Sequence, residues 1–224
     1  MRFEDTSVYN IYNAILGARN PKNSWNKRDS IFKGFNGKIE NTEIGENDLK
    51  LAQTLIKAGS EHRKFMRQIF VSVDITAPLY WWKEFDTYKV GTVSNSCSTM
   101  HKLADTPITI DCFEMDDVYW LRNRDEDFDL AELWRNGITA LEYLRRKYNE
   151  TKDKRYWKEL IRLLPESWLQ KRTVTMNYEN LLAMCSKGQR RFHKLTEWSK
   201  AFIDWARGLP CAQQLIFIDE TEEK

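Results

Sequence analysis

The chain has 224 residues, 42% hydrophobic and 30% charged, and its 35 Lys and Arg nearly balance 33 Asp and Glu for a net charge of +2. A prior of about 150 residues per domain makes this one domain, or one with an elaboration, and the apolar content excludes a wholly disordered chain. No apolar run approaches the roughly 18 residues of a membrane span, Met1-Arg2-Phe3-Glu4-Asp5 lacks the order of a secretory signal, and a near-neutral charge gives no global reason to bind nucleic acid. A cytoplasmic protein is expected, with no membrane partner and no direct nucleic-acid partner.

In chain order, residues 1–45 are polar and broken by Gly17, Pro21, Gly34, Gly37 and Gly45, which predicts a short helix around Val8–Leu16 followed by loops. Asn47 is the expected cap of a helix whose Leu49, Ala52, Leu55 and Ile56 form an apolar stripe, with Gly59 as its left-handed stop. Ile69, Val71, Val73 and Ile75 alternate with Phe70, Ser72 and Asp74, the period of a half-buried strand that ends before Pro78. Pro78 suits the first turn of a buried helix running through Leu79-Tyr80-Trp81-Trp82-Lys83-Glu84-Phe85. Thr87 to Thr99 has no helix period. Helices are predicted over Asp129–Tyr148 and Tyr156–Leu164, around Tyr178–Ser186, and near Arg190–Arg207 with Leu195, Trp198, Phe202 and Trp205 inward. With three to five strands expected in all, the pattern predicts an α+β architecture, a single domain over residues 1–224 with a loop-rich segment over 1–45.

Candidate chemistry concentrates between Tyr80 and Lys102. Seven small polar or thiol side chains fall from Thr92 to Thr99, bracketed by Lys89 and Lys102, and together they offer hydrogen-bonding groups without bulk for an anion or nucleotide. An ordinary hydroxyl-rich loop with two solvated lysines reads the same way. The histidines His62, His101 and His193 titrate near neutrality, but no two have metal-ligand spacing, so no metal is expected. Cys97, Cys112, Cys185 and Cys211 are too dispersed for a disulfide framework or a zinc site and read as reduced thiols. Asn177 suits a helix cap, and Glu220–Lys224 reads as a polar tail. No Walker, dinucleotide, nucleophile-elbow or metalloprotease motif is present.

Four stretches carry a resemblance: Gly17-Ala18-Arg19-Asn20-Pro21-Lys22-Asn23-Ser24-Trp25, Gly59-Ser60-Glu61-His62-Arg63-Lys64-Phe65, the block from Pro78 to His101, and Leu164–Trp198. Over most of its length the chain resembles phage and prophage proteins distantly similar to flavin-dependent thymidylate synthase. That enzyme methylates dUMP with methylenetetrahydrofolate, FAD and NADPH. Its signature is R-H-R-x-x-S-x-N-E-x-S-x-R-Y. Here Thr87-Tyr88-Lys89 stands for R-H-R, one extra residue follows, and Asn95-Ser96-Cys97-Ser98-Thr99-Met100-His101 lies over the rest, with Asn95 and Ser98 matching outright. Lys89 keeps a charge without the arginine fork, Ser96 replaces the acid, and Met100 replaces an arginine that grips phosphate in the family. Ser60 stands where the family has the first histidine of G-H-x-S-x-x-E-H, unless His62 takes that place after a small shift in register. Asn177 and Leu181 match N-x-R-x-L, Glu179 takes its arginine position, and Ser199 takes that of another family arginine.

The resemblance implies a mixed, mostly antiparallel sheet flanked by helices, and a homotetramer with shared sites. It implies a pyrimidine nucleotide partner, FAD as candidate cofactor, and NADPH and methylenetetrahydrofolate where synthase turnover survives. Implied catalytic residues are His101 for proton transfer, and Lys89 and Arg190 to polarise the base or hold phosphate. His62, Lys89, Asn95, Asn177 and His193 are implied at the cofactor, and Ser96, Ser98, Thr99 and Arg172 at the substrate. The reaction would be methylation or hydroxymethylation of the base, without a protein nucleophile. The alternative is a catalytically inactive phage homo-oligomer that binds a nucleotide or another protein.

Overall fold

In the computed structural model, residues 1–35, 38–118, 121 and 129–220 are described, without the side chains of 32–35, 38–42, 101 and 192. The polar tail call at Glu220–Lys224 therefore lies outside the described residues beyond Glu220. The N-terminal segment holds more regular structure than expected: β1 (Arg2–Tyr9), α1 (Ile11–Gly17) and an antiparallel hairpin of β2 (Ile31–Phe35) with β3 (Lys38–Glu43). This corrects the loops read from composition. Strand β1 buries no residue, so no alternation of apolar side chains announces it. Helix α1 begins after Asn10, whose left-handed φ of 71° ends the strand, rather than at Val8.

Helix α2 (Glu46–Lys57) corrects the expected cap. Gly45 occupies the cap position, and Asp29 supplies the acceptor instead, its carboxylate taking the backbone N–H groups of Asn47 at 2.8 Å and Asp48 at 3.0 Å. Gly59 has φ +104°, the left-handed stop that the sequence predicts. Asp48 itself is buried at 2% exposure. Its carboxylate accepts from Arg19 Nε at 2.5 Å, and from Ser30 Oγ at 2.5 Å and Ser30 N at 3.0 Å. Arg19 in turn donates to the carbonyls of Ser24 at 3.3 Å and Lys27 at 3.1 Å. One ion pair therefore organises the chain from Arg19 to Ser30 that no apolar pattern would order. Burial works against the Asp48 charge, but the hydrogen bonds from Ser30, Arg19 and Asp29 outweigh it and hold the carboxyl below its usual range.

After a 3-10 turn at Arg63–Gln68 come β4 (Phe70–Pro78), α3 (Leu79–Phe85), β5 (Val93–Ser96) and α4 (Thr99–Lys102). Val71, Val73 and Ile75 are buried and Phe70 is exposed, the predicted alternation; the strand runs on to Pro78 rather than stopping before it. Helices α5 (Leu130–Thr151) and α6 (Lys154–Leu163) follow, each capped by an aspartate, Asp129 and Asp153. Strand β6 (Leu169–Asn177) lies between the helix expected to end at Leu164 and the Asn177 cap, where apolar spacing predicts no strand. Its inward positions include Gln170 beside Val174 and Met176, so its buried face is partly polar and the alternation is blurred. The four-stranded sheet is antiparallel in the order β1-β4-β6-β5. The fold is α+β.

The chain ends in α7 (Tyr178–Met184), α8 (Lys187–Phe192), a π-helical turn at Glu197–Phe202 that continues as α9 (Ile203–Arg207), and α10 (Ala212–Leu215). The helix expected over Arg190–Arg207 is thus divided. His193 leaves the helical region (φ −69°, ψ 117°) and its ring lies flat against the buried Trp198, at 4.4 Å and 7°. Trp198 also donates to the Met184 carbonyl at 3.2 Å, which fixes the indole.

Two compact units are distinguished, one of Met1–Ile75, Phe85–Asn95 and Thr173–Lys224, the other of Thr76–Glu84 and Ser96–Arg172. The first is built on the buried faces of β4, α7 and the helices after it. In the second, Leu103, Ile108, Phe113, Leu141 and Leu160 form a core joined by Trp134 and Trp168. Among the described residues no helix is long and apolar enough to cross a membrane.

Asp48→Asn leaves the Arg19 guanidinium buried without its counter-charge and should destabilise the protein by about 3–5 kcal/mol in urea unfolding. A change below about 1 kcal/mol would show that the network is ornamental. Because the folded carboxyl titrates below its ordinary value of 3.8, this contribution is present above that pH and is lost as pH falls through the lower folded value. Wild-type stability should fall through this acid range more steeply than that of Asp48→Asn.

Candidate functional site

The candidate site begins where β6 turns into α7. Asn177 ends the strand and caps the helix in a reciprocal box: its Oδ1 accepts the Asn180 N–H at 3.0 Å, and Asn180 Oδ1 accepts the Asn177 N–H at 3.1 Å. Asn180 also donates one of its two amide hydrogens to the Val90 carbonyl at 2.6 Å. Gly91 follows with φ +82°, and a Cβ built there would lie 2.9 Å from Asn177 Nδ2 and 3.0 Å from Asn180 Oδ1. Glycine is required at this position on both counts, conformation and space. The loop closes on itself as well, with Thr92 Oγ donating to the Tyr88 carbonyl at 2.5 Å and Tyr88 N to the Phe85 carbonyl at 3.0 Å. Tyr88 stacks on Trp198 at 5.4 Å and 28°.

This loop and helix start enclose a cleft of about 650 Å³, lined by Arg63, Arg67, Thr87–Gly91, Asn177, Glu179, Asn180 and Ala183. Glu179 bridges both arginines: Oε1 accepts from Arg63 Nε at 2.9 Å and Oε2 accepts from Arg67 Nε. Arg67 Nη2 also donates to the Ser60 carbonyl at 2.9 Å. Burial disfavours the Glu179 charge, but the hydrogen bonds from Arg67 and Arg63 prevail and hold its carboxyl below the usual range. The Arg67 guanidinium, hydrogen-bonded to Glu179, is held more firmly protonated still. Lys89 is exposed at the rim. The cleft therefore offers guanidinium, ammonium and carboxamide groups beside an aromatic ring, the complement of an anionic group joined to a flat polar one.

Of the residues singled out in the sequence, Lys89 and Asn177 meet in this cleft. Asn95 and Ser96 lie on the exposed strand β5. Ser98 and Thr99 lead into α4, where their carbonyls accept the N–H groups of Lys102 at 2.9 Å and Leu103 at 3.3 Å. The His101 side chain lies outside the described residues. Arg172 sits 4.2 Å above the Trp82 ring and donates to Gln170 Oε1 at 2.9 Å. Arg190 is held by Asp219 at 3.1 Å and Glu220 at 3.2 Å and donates to the Cys185 carbonyl, and it does not line the cleft. His62 is exposed just before the 3-10 turn, and His193 is taken up in the stack on Trp198. Arg63, Arg67 and Asn180 are not among the site residues that the sequence suggests. Their signal was present in the spacing of Arg63 and Arg67 and in the Asn177, Asn180 pair, but each is a common surface pattern until the fold brings them together. All four cysteines are free, and burial pushes the Cys185 thiol up to about 12, consistent with an inert reduced group.

Gly91→Ala should destabilise the protein by about 1–3 kcal/mol, since alanine must adopt the left-handed region and displace the two amides. Chemical denaturation measures this directly. A loss under about 0.5 kcal/mol would show that the loop is not held against α7.

No protein-family model matches the chain. No curated protein matches it either. Solved structures do. A crystal structure of the flavin-dependent thymidylate synthase ThyX from Helicobacter pylori complexed with FAD and dUMP is similar with a TM-score of 0.66 at 16% identity, over 98% of this chain and 99% of that one. A second structure of Helicobacter pylori ThyX with FAD and dUMP gives a TM-score of 0.65 at 16% identity, over 95% of both chains. The chain thus has a flavin-dependent thymidylate synthase-like fold.

Proposed function

We propose that this protein binds a phosphorylated pyrimidine nucleotide in the cleft of Arg63, Arg67, Lys89 and Asn177, and that it also takes FAD, with the flavin's diphosphate held outside the Arg63 and Arg67 pair. The observation that carries the reading is the convergence of three cationic side chains on one cavity beside Tyr88 and two carboxamides. The similar structures contain FAD and dUMP, which gives the ligand class to test. The cleft fits a phosphate-bearing ligand by charge: Arg63, Arg67 and Lys89 carry three positive charges against one on Glu179, a formal balance of +2. FAD, when bound, supplies reversible hydride acceptance.

In this reading Arg63 and Arg67 hold phosphate oxygens, Lys89 adds a mobile charge at the rim, and Asn177 offers its carboxamide to a ring edge. Tyr88, backed by Trp198, excludes water from one side. Base methylation or hydroxymethylation, with NADPH and methylenetetrahydrofolate as co-substrates, is the corresponding enzyme reading, in which Asn95, Ser96, Ser98, Thr99, His101 and Arg172 would serve the substrate. A non-catalytic nucleotide binder is the second reading, favoured by Ser96 and Met100 standing where the family signature has an acid and an arginine. A homotetramer in the cytoplasm of a phage-bearing host is the setting carried over from the resemblance, and light scattering reads its mass.

Absorbance of the purified protein in the flavin bands, followed by titration with FAD and dUMP, tests the proposal. Arg67→Ala and Lys89→Ala should each weaken nucleotide binding by roughly tenfold or more, the loss expected for a charge-assisted contact of about 1.5–3 kcal/mol, while Cys211→Ser should leave it unchanged. Absence of both flavin binding and any nucleotide-induced thermal shift would refute it.

A further inference from the structure

Glu179 is unusual in being one carboxylate between two guanidiniums on the wall of an open cleft. A structural ion pair balances its charges, but this one does not: Arg63 and Arg67 together exceed Glu179 by one positive charge. The geometry leaves that excess pointed and usable. Each arginine engages Glu179 through Nε alone, and Ser60 takes Arg67 Nη2, so Arg67 Nη1 and both Nη groups of Arg63 have no protein partner among the described residues. Glu179 is the least exposed of the three, at 16% against 29% for Arg63 and 50% for Arg67, so the carboxylate lies behind the two cations and the cations face outward. Glu61 acts on Arg67 only through its field and does not line the cleft.

A carboxylate fixed there has two consequences for a bound anion. It orients the guanidiniums, and it sets a ceiling on the negative charge the cleft will take, because a second phosphate brought to the same arginines meets an anion already in place. We infer that Glu179 is a specificity-determining residue that limits the ligand at Arg63 and Arg67 to a single phosphate and disfavours di- and triphosphates. The cleft balance of +2 then matches the −1.5 to −2 charge of one phosphate monoester near neutral pH, within about half a charge. The inference rests on the phosphate-binding reading above and adds to it the residue that sets ligand charge.

The test is a set of calorimetric titrations of wild type and Glu179→Gln with inorganic phosphate, pyrophosphate, dUMP and dUTP at fixed ionic strength and pH. Glutamine keeps the shape and one acceptor while removing the charge. Wild type should bind phosphate and dUMP in preference to pyrophosphate and dUTP, and Glu179→Gln should shift both ratios toward the more highly charged ligand by roughly tenfold. A purely structural Glu179 would weaken all four ligands together and leave the ratios within about twofold, which overturns the inference while sparing the cleft as a nucleotide site. Should the glutamine variant fail to fold, Arg67→Gln is informative instead: by lowering the cationic excess it should strengthen the preference for the single phosphate, and an unchanged ratio overturns the inference equally. Failure of wild type to bind any of the four probes overturns both this inference and the reading beneath it, whereas binding of phosphate and pyrophosphate with the expected ratios but not of dUMP or dUTP supports the charge limit and removes the nucleotide.

Discussion

Two carboxamides govern the geometry of the candidate site. Asn177 and Asn180 satisfy the N–H groups at the start of α7 by capping each other's backbone, and Asn180 donates one of its two amide hydrogens to hold Val90. Because Asn180 is hydrogen-bonded to Val90 and even a Cβ on Gly91 would come within about 3 Å of both side chains, the helix start and the Lys89 loop cannot move independently. Everything proposed for the cleft follows from that closure. Without it Lys89 would be a solvated lysine on a loop, and Tyr88 would have no fixed position against Trp198.

A second constraint acts on the opposite wall. Arg63 and Arg67 come from a short 3-10 turn, where neither propensity nor burial would fix long flexible side chains, and Glu179 of α7 fixes them instead. Ordering an arginine costs up to about 2 kcal/mol of side-chain entropy, so a ligand meeting guanidiniums already held by a carboxylate binds against a smaller penalty. The first wall is built from neutral hydrogen bonds and the second from charge. Salt should therefore soften the second and leave the first intact.

Much of the fold was legible in the sequence wherever apolar spacing carried it. The alternation of Val71, Val73 and Ile75, the Asn177 cap and the left-handed Gly59 all appear as read. What escaped was structure held by polar groups. Strand β1 has no buried face, β6 turns Gln170 inward, and the chain from Arg19 to Ser30 is ordered by Asp48, a residue that pattern alone assigns to solvent. Of the site, Lys89 and Asn177 could be named from the sequence, and the resemblance noted the acid at position 179. That the acid would be answered by Arg63 and Arg67 could not be read from it, since the partners lie 116 and 112 residues away and meet only in the fold.

The most direct measurement is a crystal structure of the protein grown with dUMP. The account predicts phosphate density within hydrogen-bonding distance of the outward guanidinium nitrogens of Arg63 and Arg67, with the loop at Val90 and Gly91 still fastened to Asn180. Nucleotide density lodged elsewhere, with those nitrogens facing only solvent, would contradict it.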